Sequence, residues 1–129
     1  MNKPARAILS AALGLSLALA ACSAKPAVAN VTVDVTITDF AYTPKAFTVP
    51  AGSQVTLNAK NNGAVEHEFA LMKLGTSVTP PFGEKDEGGI FWEMDGIEPN
   101  TTKSATFTAP TEAGTYQVIC GLAGHIESG

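Results

Sequence analysis

The sequence TYQVICGLAGHIESG, residues 115–129, decides the fold and the site of this 129-residue chain. Alternation over its first six residues predicts a short β-strand whose inward face carries Tyr116, Val118 and Cys120. Two glycines then enclose a tight loop that returns His125 to the neighbourhood of the thiol. A thiolate and an imidazole held this close together are typical of a copper or zinc site. The stretch therefore predicts an inward cysteine at a strand end with a potential metal ligand beside it.

The chain has one further histidine, His67, and its position on a predicted strand decides how it is interpreted. Val65, His67, Phe69 and Leu71 fall on one face of a predicted strand over residues 65–74. Taken alone, a histidine in an apolar row is more often a core residue with a satisfied hydrogen bond than a ligand. A three-ligand site around the cysteine needs a second imidazole, however, and no other histidine is present in the sequence.

The first residues predict export and membrane anchoring. A short basic head at residues 1–6 precedes an apolar run, residues 7–21, that is too short to span a bilayer comfortably and is typical of a secretory signal. The run ends in Leu-Ala-Ala-Cys, residues 19–22, which resembles a bacterial lipobox. We therefore expect residues 1–21 to be a lipoprotein signal peptide and Cys22 to carry the lipid, on the periplasmic or extracytoplasmic face of a bacterial cell envelope. An ordinary signal with a chance cysteine is the alternative.

Lipidation of Cys22 leaves Cys120 as the only other cysteine, without an internal disulfide partner. An exposed free thiol in an oxidising compartment is prone to oxidation. Metal ligation explains the thiol, and the neighbouring His125 favours that explanation. A buried structural cysteine that packs as a small hydrophobe is the alternative.

The charge balance is acidic. The formal net charge is −4, and removal of Lys3 and Arg6 with the signal leaves six basic against twelve acidic residues, about −6. We therefore expect no binding to nucleic acid, which requires basic patches. The acidic residues concentrate at Glu84, Asp86, Glu87, Glu93, Asp95 and Glu98. A group of acids like this one can attract a cationic partner, but it is more often part of a solvated loop.

The chain divides into a predicted flexible tether, residues 22–30, and one domain, residues 31–129. Within the domain the Asn62-Gly63 dipeptide predicts that the following strand returns as a hairpin or near-hairpin. Residues 75–100 lose all periodicity and are predicted to be a long loop held down by apolar anchors. Short strands without helix-length periodicity indicate an all-β sandwich or barrel. Strands are predicted at 31–38, 47–49, 54–60, 65–74, 101–108 and 115–120.

Three segments resemble the cupredoxins, the small blue-copper family that includes plastocyanin, azurin and auracyanin. They are Phe-Ala-Tyr-Thr-Pro at 40–44 with Val49 and Gly52, Val-Glu-His-Glu-Phe at 65–69, and the stretch from Gly114 to Gly129. The last is the specific one, because four residues separate its cysteine from its histidine as in auracyanin-like members. The resemblance implies a Greek-key β-sandwich of cupredoxin type. It also implies one type 1 copper ion with equatorial ligands His67, Cys120 and His125.

The family pattern places a methionine, the axial ligand, directly after Gly129 and a further strand beyond it. We therefore expect a C-terminally truncated domain in which the last strand is missing. Met72 and Met94 do not occupy the position of that methionine in the pattern.

By resemblance, the chain is expected to be a one-electron carrier and not an enzyme. Its expected partners are a redox protein such as a cytochrome or membrane oxidoreductase, and the membrane through the lipid anchor. Four alternatives stay open: copper storage or delivery through the same residues, a Cys120/His125 nucleophilic dyad, a zinc site, and a purely structural β-domain. The dyad ranks low because it lacks an evident orienting acid and leaves His67 unused.

Overall fold

A computed structural model describes residues 27–128. The predicted signal peptide, Cys22 and most of the tether lie outside the described residues. Between residues 27 and 128, neither helix has the length and apolar character needed to cross a bilayer. The elements in chain order are β1 Asn30–Thr38, β2 Ala41–Thr43, β3 Gln54–Asn61, β4 His67–Met72, α1 Glu84–Glu87, β5 Ile90–Ile97, β6 Thr102–Thr108, β7 Val118–Ile119 and α2 His125–Ser128.

The strands form two sheets, with order β2-β1-β3-β6 in one and β5-β4-β7 in the other. β1 and β3 pair in parallel, from Asn30 opposite Gln54 to Ile37 opposite Asn61, and the other strand pairs are antiparallel. In the described part of the chain, two sheets accompanied by two four-residue helices confirm the predicted all-β sandwich.

Alternating side chains of both sheets fill the space between them. The alternation predicted for β1, β3 and β6 is confirmed, because the apolar residues of each strand point into one core while the polar residues face water. Burying one such side chain contributes roughly 1.5–3 kcal/mol to stability. The core contains Val33, Val35, Ile37, Val55, Leu57, Ala59, Phe69, Leu71, Met94, Ile97, Phe107 and Ala109.

A second apolar cluster covers the outer face of the three-stranded sheet. Ala70, Met72, Val78 and Ile119 are its buried members. The side chain of Gln117 fastens the covering loop, because its Oε1 accepts the Val78 N–H at 2.7 Å and its Nε2 donates to the Val78 carbonyl at 3.2 Å. β4 is therefore buried on both faces.

The predicted hairpin at Asn62-Gly63 is wrong. β3 lies between β1 and β6, so both of its edges are already paired, and β4 belongs to the other sheet. The connection instead crosses from one sheet to the other. Asn61, which is fully buried, holds this crossing: its Nδ2 donates to the carbonyls of Val65 and Ile97 at 2.8 Å, and its Oδ1 accepts the Gly63 N–H at 2.8 Å.

The prediction of a strand at 47–49 is also wrong. Residues 44–50 form no strand, and prolines at both ends of the segment lack the N–H groups that a ladder needs. β2 instead forms immediately before this segment, where Thr36 to Thr38 offer an edge to Ala41–Thr43.

The long loop predicted for residues 75–100 is only half correct. Its second half is β5, in which Ile90, Trp92 and Met94 alternate with exposed residues before an irregularity at Gly96, where φ is +56°. Of the six acids named above, three lie in α1 and two in β5, while Glu98 directly follows β5. The last strand, predicted at residues 115–120, is shorter in the structure, where β7 spans only Val118–Ile119. The strand predicted at 65–74 is also shorter and spans His67–Met72.

Candidate metal centre

His67 is the first residue of β4 and lies inside the sandwich. Its side chain is 2% exposed, and its backbone pairs opposite Ile97 of β5. His67, Phe69 and Leu71 point to the same buried side, as their alternation predicts, whereas Val65 is 40% exposed and falls outside this row. The sheet therefore fixes the imidazole in a dry position.

Cys120 directly follows β7, and β7 is held against β4 by pairing of Ala70 with Ile119 and of Leu71 with Val118. The thiol is buried, and its Sγ accepts the backbone N–H of Glu68 at 3.3 Å. Burial raises the pKa of the Cys120 thiol. The sulfur is thus fixed to the strand that carries His67.

His125 is the first residue of α2, and four residues separate it from Cys120. Gly124, with φ of +84°, makes the turn that a side chain would strain, and the His125 N–H donates to the Leu122 carbonyl at 3.1 Å. The imidazole is half-buried and its Nδ1 lies 3.3 Å from the Cys120 Sγ. Burial, followed by the neighbouring His67, lowers the pKa of His125.

The structure thus brings together the three residues that the sequence singled out. One donor atom each from His67, Cys120 and His125 lies within 4.8 Å of the others, and the two imidazole centroids are 4.8 Å apart. Their separation is small enough for one ion to contact all three. One sulfur and two imidazole nitrogens form the His₂Cys set typical of blue-copper sites, so these residues fit a copper ion.

The site opens through a cleft of about 240 Å³ whose walls include Ile37, Phe40 and Tyr42. The Phe40 ring meets the His125 ring edge-on at 5.3 Å between centroids. Phe40 adopts φ of +71°, an uncommon conformation for a bulky residue, and its side chain is 39% exposed. The Tyr42 hydroxyl donates to the Glu68 carbonyl, and burial raises the pKa of this hydroxyl strongly.

Asp39, in the turn after β1, is a site residue that sequence reasoning missed. Its carboxylate accepts the Ala64 N–H at 3.0 and 3.1 Å and the Val65 N–H at 3.4 Å, and its Oδ1 lies 3.4 Å from the His67 Nε2. The backbone N–H of Ala64 is the main cause of the lowered pKa of Asp39. Its only sequence signal is an acid after a strand.

The two methionines of the domain lie in the apolar clusters. Met94 is 3% exposed in the core between the sheets, and Met72 is fully buried in the second cluster. Both therefore have packing roles.

Comparisons with known proteins agree with this fold. The cupredoxin-like domain family matches residues 9–129. Auracyanin-A of Chloroflexus aurantiacus is 36% identical over 101 residues, which cover 67% of this chain and 62% of that protein. The chain thus spans somewhat less than two thirds of the length of this curated relative.

Solved auracyanin structures show the same architecture. A dithionite-reduced auracyanin from Roseiflexus castenholzii superposes with a TM-score of 0.62 at 27% identity, over 78% of this chain and 91% of that one. Auracyanin A of Chloroflexus aurantiacus, described as a "blue" copper protein, gives 0.60 at 31% identity over 74% and 90%. The chain therefore belongs to the cupredoxin-like family of blue copper proteins, and its cofactor is a single type 1 copper ion.

Proposed function

We propose that this protein is a one-electron carrier whose copper ligands are His67, Cys120 and His125. The convergence of one sulfur and two imidazoles from separate parts of the fold, all within 4.8 Å, is the observation that supports it. The similarity to auracyanins, one of them described as a blue copper protein, points the same way.

A copper ion bound there supplies the chemistry by cycling between Cu(I) and Cu(II). The protein's part is to hold the three donors where both oxidation states are acceptable, so that little rearrangement accompanies transfer. His67 and Cys120 are buried and fixed to β4, and the Glu68 N–H donates to the sulfur. Such a hydrogen bond, together with the dryness of the site, tunes the reduction potential.

His125 provides the side from which a partner approaches. Its imidazole is half-buried, whereas His67 is 2% exposed. Leu122, Ile126 and the ring of Phe40 surround it with partly exposed apolar surface. We therefore expect a redox protein, such as a cytochrome or a membrane oxidoreductase, to dock over His125.

Reconstitution with Cu(II) tests the ligand set. The copper-loaded protein should show an intense sulfur-to-copper charge-transfer band in the visible spectrum. Cys120→Ser should abolish the band, and His67→Ala and His125→Ala should weaken or shift it. Absence of the band in the wild-type protein would remove the electron-transfer proposal. Zinc in the same site would leave the protein colourless.

Rates of electron exchange and of copper release distinguish an electron carrier from a copper storage or delivery protein. An electron carrier should exchange electrons rapidly with a cytochrome and retain its copper against a chelator. A store or delivery protein would release copper readily and react slowly with the cytochrome. The second result would replace the proposed function while leaving the ligand set intact.

We further propose that the domain, residues 31–129, is anchored outside the cytoplasm through lipidated Cys22, after removal of residues 1–21, and that residues 22–30 form the tether. The lipobox-like sequence supports this. Mass spectrometry of the mature protein should find an acylated N-terminal cysteine. Cys22→Ala should transfer the protein from the membrane to the soluble fraction, and a wild-type protein that is already soluble would contradict the anchor.

A further inference from the structure

Asp39 joins the end of β1 to the ligand-bearing strand. Its Oδ1 lies 3.4 Å from the His67 Nε2, and the same carboxylate accepts N–H groups from Ala64 and Val65, three and two residues before the histidine. One carboxylate therefore contacts both the imidazole and the backbone that leads into it.

Gly63 lies against the Asp39 carboxylate and leaves room for it because glycine has no side chain. A Cβ added at Gly63 would lie 2.1 Å from the Asp39 Oδ1 and 3.0 Å from its Cγ, a distance at which the carboxylate would have to move. Gly63 is itself held by Asn61, whose Oδ1 accepts its N–H at 2.8 Å. The missing side chain at position 63 is thus what allows Asp39 to reach the loop and the imidazole.

We propose that Asp39 is a positioning residue for copper binding: its carboxylate accepts the His67 Nε2–H, and so presents Nδ1 to the metal. The proposal rests on the ligand set given under Proposed function. An imidazole has two nitrogens, and a hydrogen bond that fixes the proton on one leaves the lone pair of the other available to a metal.

The geometry favours this role over simple capping of the loop. Capping needs only the backbone N–H groups of Ala64 and Val65, which lie near the protein surface. The His67 imidazole is 2% exposed, so an Nε2–H without a partner there would carry the cost of a buried unsatisfied donor. A carboxylate partner also strengthens donation by the ligating nitrogen, and removal of such partners typically weakens metal affinity about 10- to 100-fold.

Nitrogen-15 NMR of the histidine rings tests the proposal directly, in the full chain without metal and again with diamagnetic Cu(I). His67 should carry its proton on Nε2 in both states, and that proton should exchange slowly with water. A wild-type His67 with its proton on Nδ1 in the metal-free chain would overturn the proposal, whatever the variants do.

Two substitutions separate the hydrogen bond from the charge. Asp39→Ala removes the acceptor, so the Nε2–H should exchange faster and copper affinity should fall about 10- to 100-fold. Asp39→Asn retains a neutral acceptor of the same shape and should keep the slow exchange and most of the affinity. Asp34→Asn is the matched control, because Asp34 is an exposed acid of β1 that binds Asn58 at 2.8 Å; it should change neither measurement.

Gly63→Ala gives a second route to the same result, because it displaces the Asp39 carboxylate while leaving every charge in place. It should also speed exchange of the Nε2–H. Unchanged exchange and affinity in both Asp39→Ala and Gly63→Ala would reduce Asp39 to a loop cap. A chain that lacks the blue-copper band but retains a slow Nε2–H contradicts the proposed function, whereas a normal band with a mobile Nε2–H contradicts the role of Asp39.

Discussion

The two halves of the metal centre are built differently. His67 lies in a six-residue strand, is 2% exposed and follows a crossing held by the three hydrogen bonds of buried Asn61. His125 lies in a four-residue helix, α2, with no buried residue. Ser128 closes that helix by donating from its exposed Oγ to the Gly124 carbonyl at 2.7 Å.

The difference implies that the fold fixes the His67 side of the site before metal binds, whereas metal binding can order the His125 side. Regions with few buried apolar contacts and exposed hydrogen bonds open locally at low free energy. Cys120 belongs with the rigid half, since its sulfur is buried and accepts the Glu68 N–H. The loop after it, residues 121–128, is the half that we expect to gain order when copper binds.

Copper binding should produce the largest effect. At a free copper concentration of 1,000 times the dissociation constant, binding to the folded state alone stabilises it by about 4 kcal/mol. Urea unfolding with and without copper measures this shift. Hydrogen exchange should slow most in residues 121–128 and least in β4, His67–Met72.

The control is Cys120→Ser, which should remove most of the copper-dependent stabilisation. Equal slowing of exchange in β4 and in residues 121–128 would contradict the proposed division of the site. It would mean that the fold fixes both halves to the same degree.

Asn61→Ala should have the next largest effect, because it damages the rigid half. The substitution leaves the Val65 and Ile97 carbonyls and the Gly63 N–H without their partner, at a cost of about 2–4 kcal/mol in unfolding free energy. Chemical denaturation measures the loss. Asn62→Ala is the matched control. Asn62 is the exposed neighbour of Asn61, so its replacement should change the unfolding free energy by less than about 0.5 kcal/mol. Equal costs for the two variants would show that the crossing does not depend on Asn61.

Alternation of apolar and polar residues correctly predicted the strands whose structure depends on their own sequence. β1, β3 and β6 alternate over seven or more residues, and their inward faces followed directly. The cluster of His67, Cys120 and His125 was predictable for a different reason, because the domain contains only two histidines and one cysteine. The identity of the metal and the ligand roles came from resemblance to a family.

The errors arose where pairing between distant segments decides the structure. Asn62-Gly63 suits a tight turn, yet β1 and β6 already occupy both edges of β3. β5 was missed because glycines and prolines around it outweighed its three alternating apolar residues. Asp39 could not be assigned to the site, because its contact with His67 depends on how the end of β1 meets a crossing 25 residues later.

Gly124→Ala tests the loop half by backbone strain alone. Gly124 has φ of +84° and a Cβ there would meet nothing within 4 Å, so the cost is that of a left-handed conformation, about 1–2 kcal/mol. Gly75→Ala is a matched control, with φ of +76° and equally open space, in a loop away from the donors. Both should lose similar stability, but only Gly124→Ala should also weaken copper binding and shift the visible band. A normal band and affinity in Gly124→Ala would show that the loop tolerates a different path.

Ser128→Ala should give the smallest effect. It removes an exposed hydrogen bond to the Gly124 carbonyl in a helix without buried residues, so we expect a change of less than about 0.5 kcal/mol in unfolding free energy. Ser104→Ala, which removes an exposed hydrogen bond of the same length to Asn58 in the sheet region, is the comparison. If α2 gains its order from copper, Ser128→Ala should leave the metal-free protein unchanged and modestly raise the rate of copper release. A loss above 1 kcal/mol without metal would instead make α2 part of the rigid half, because the helix would then contribute to folding before copper binds.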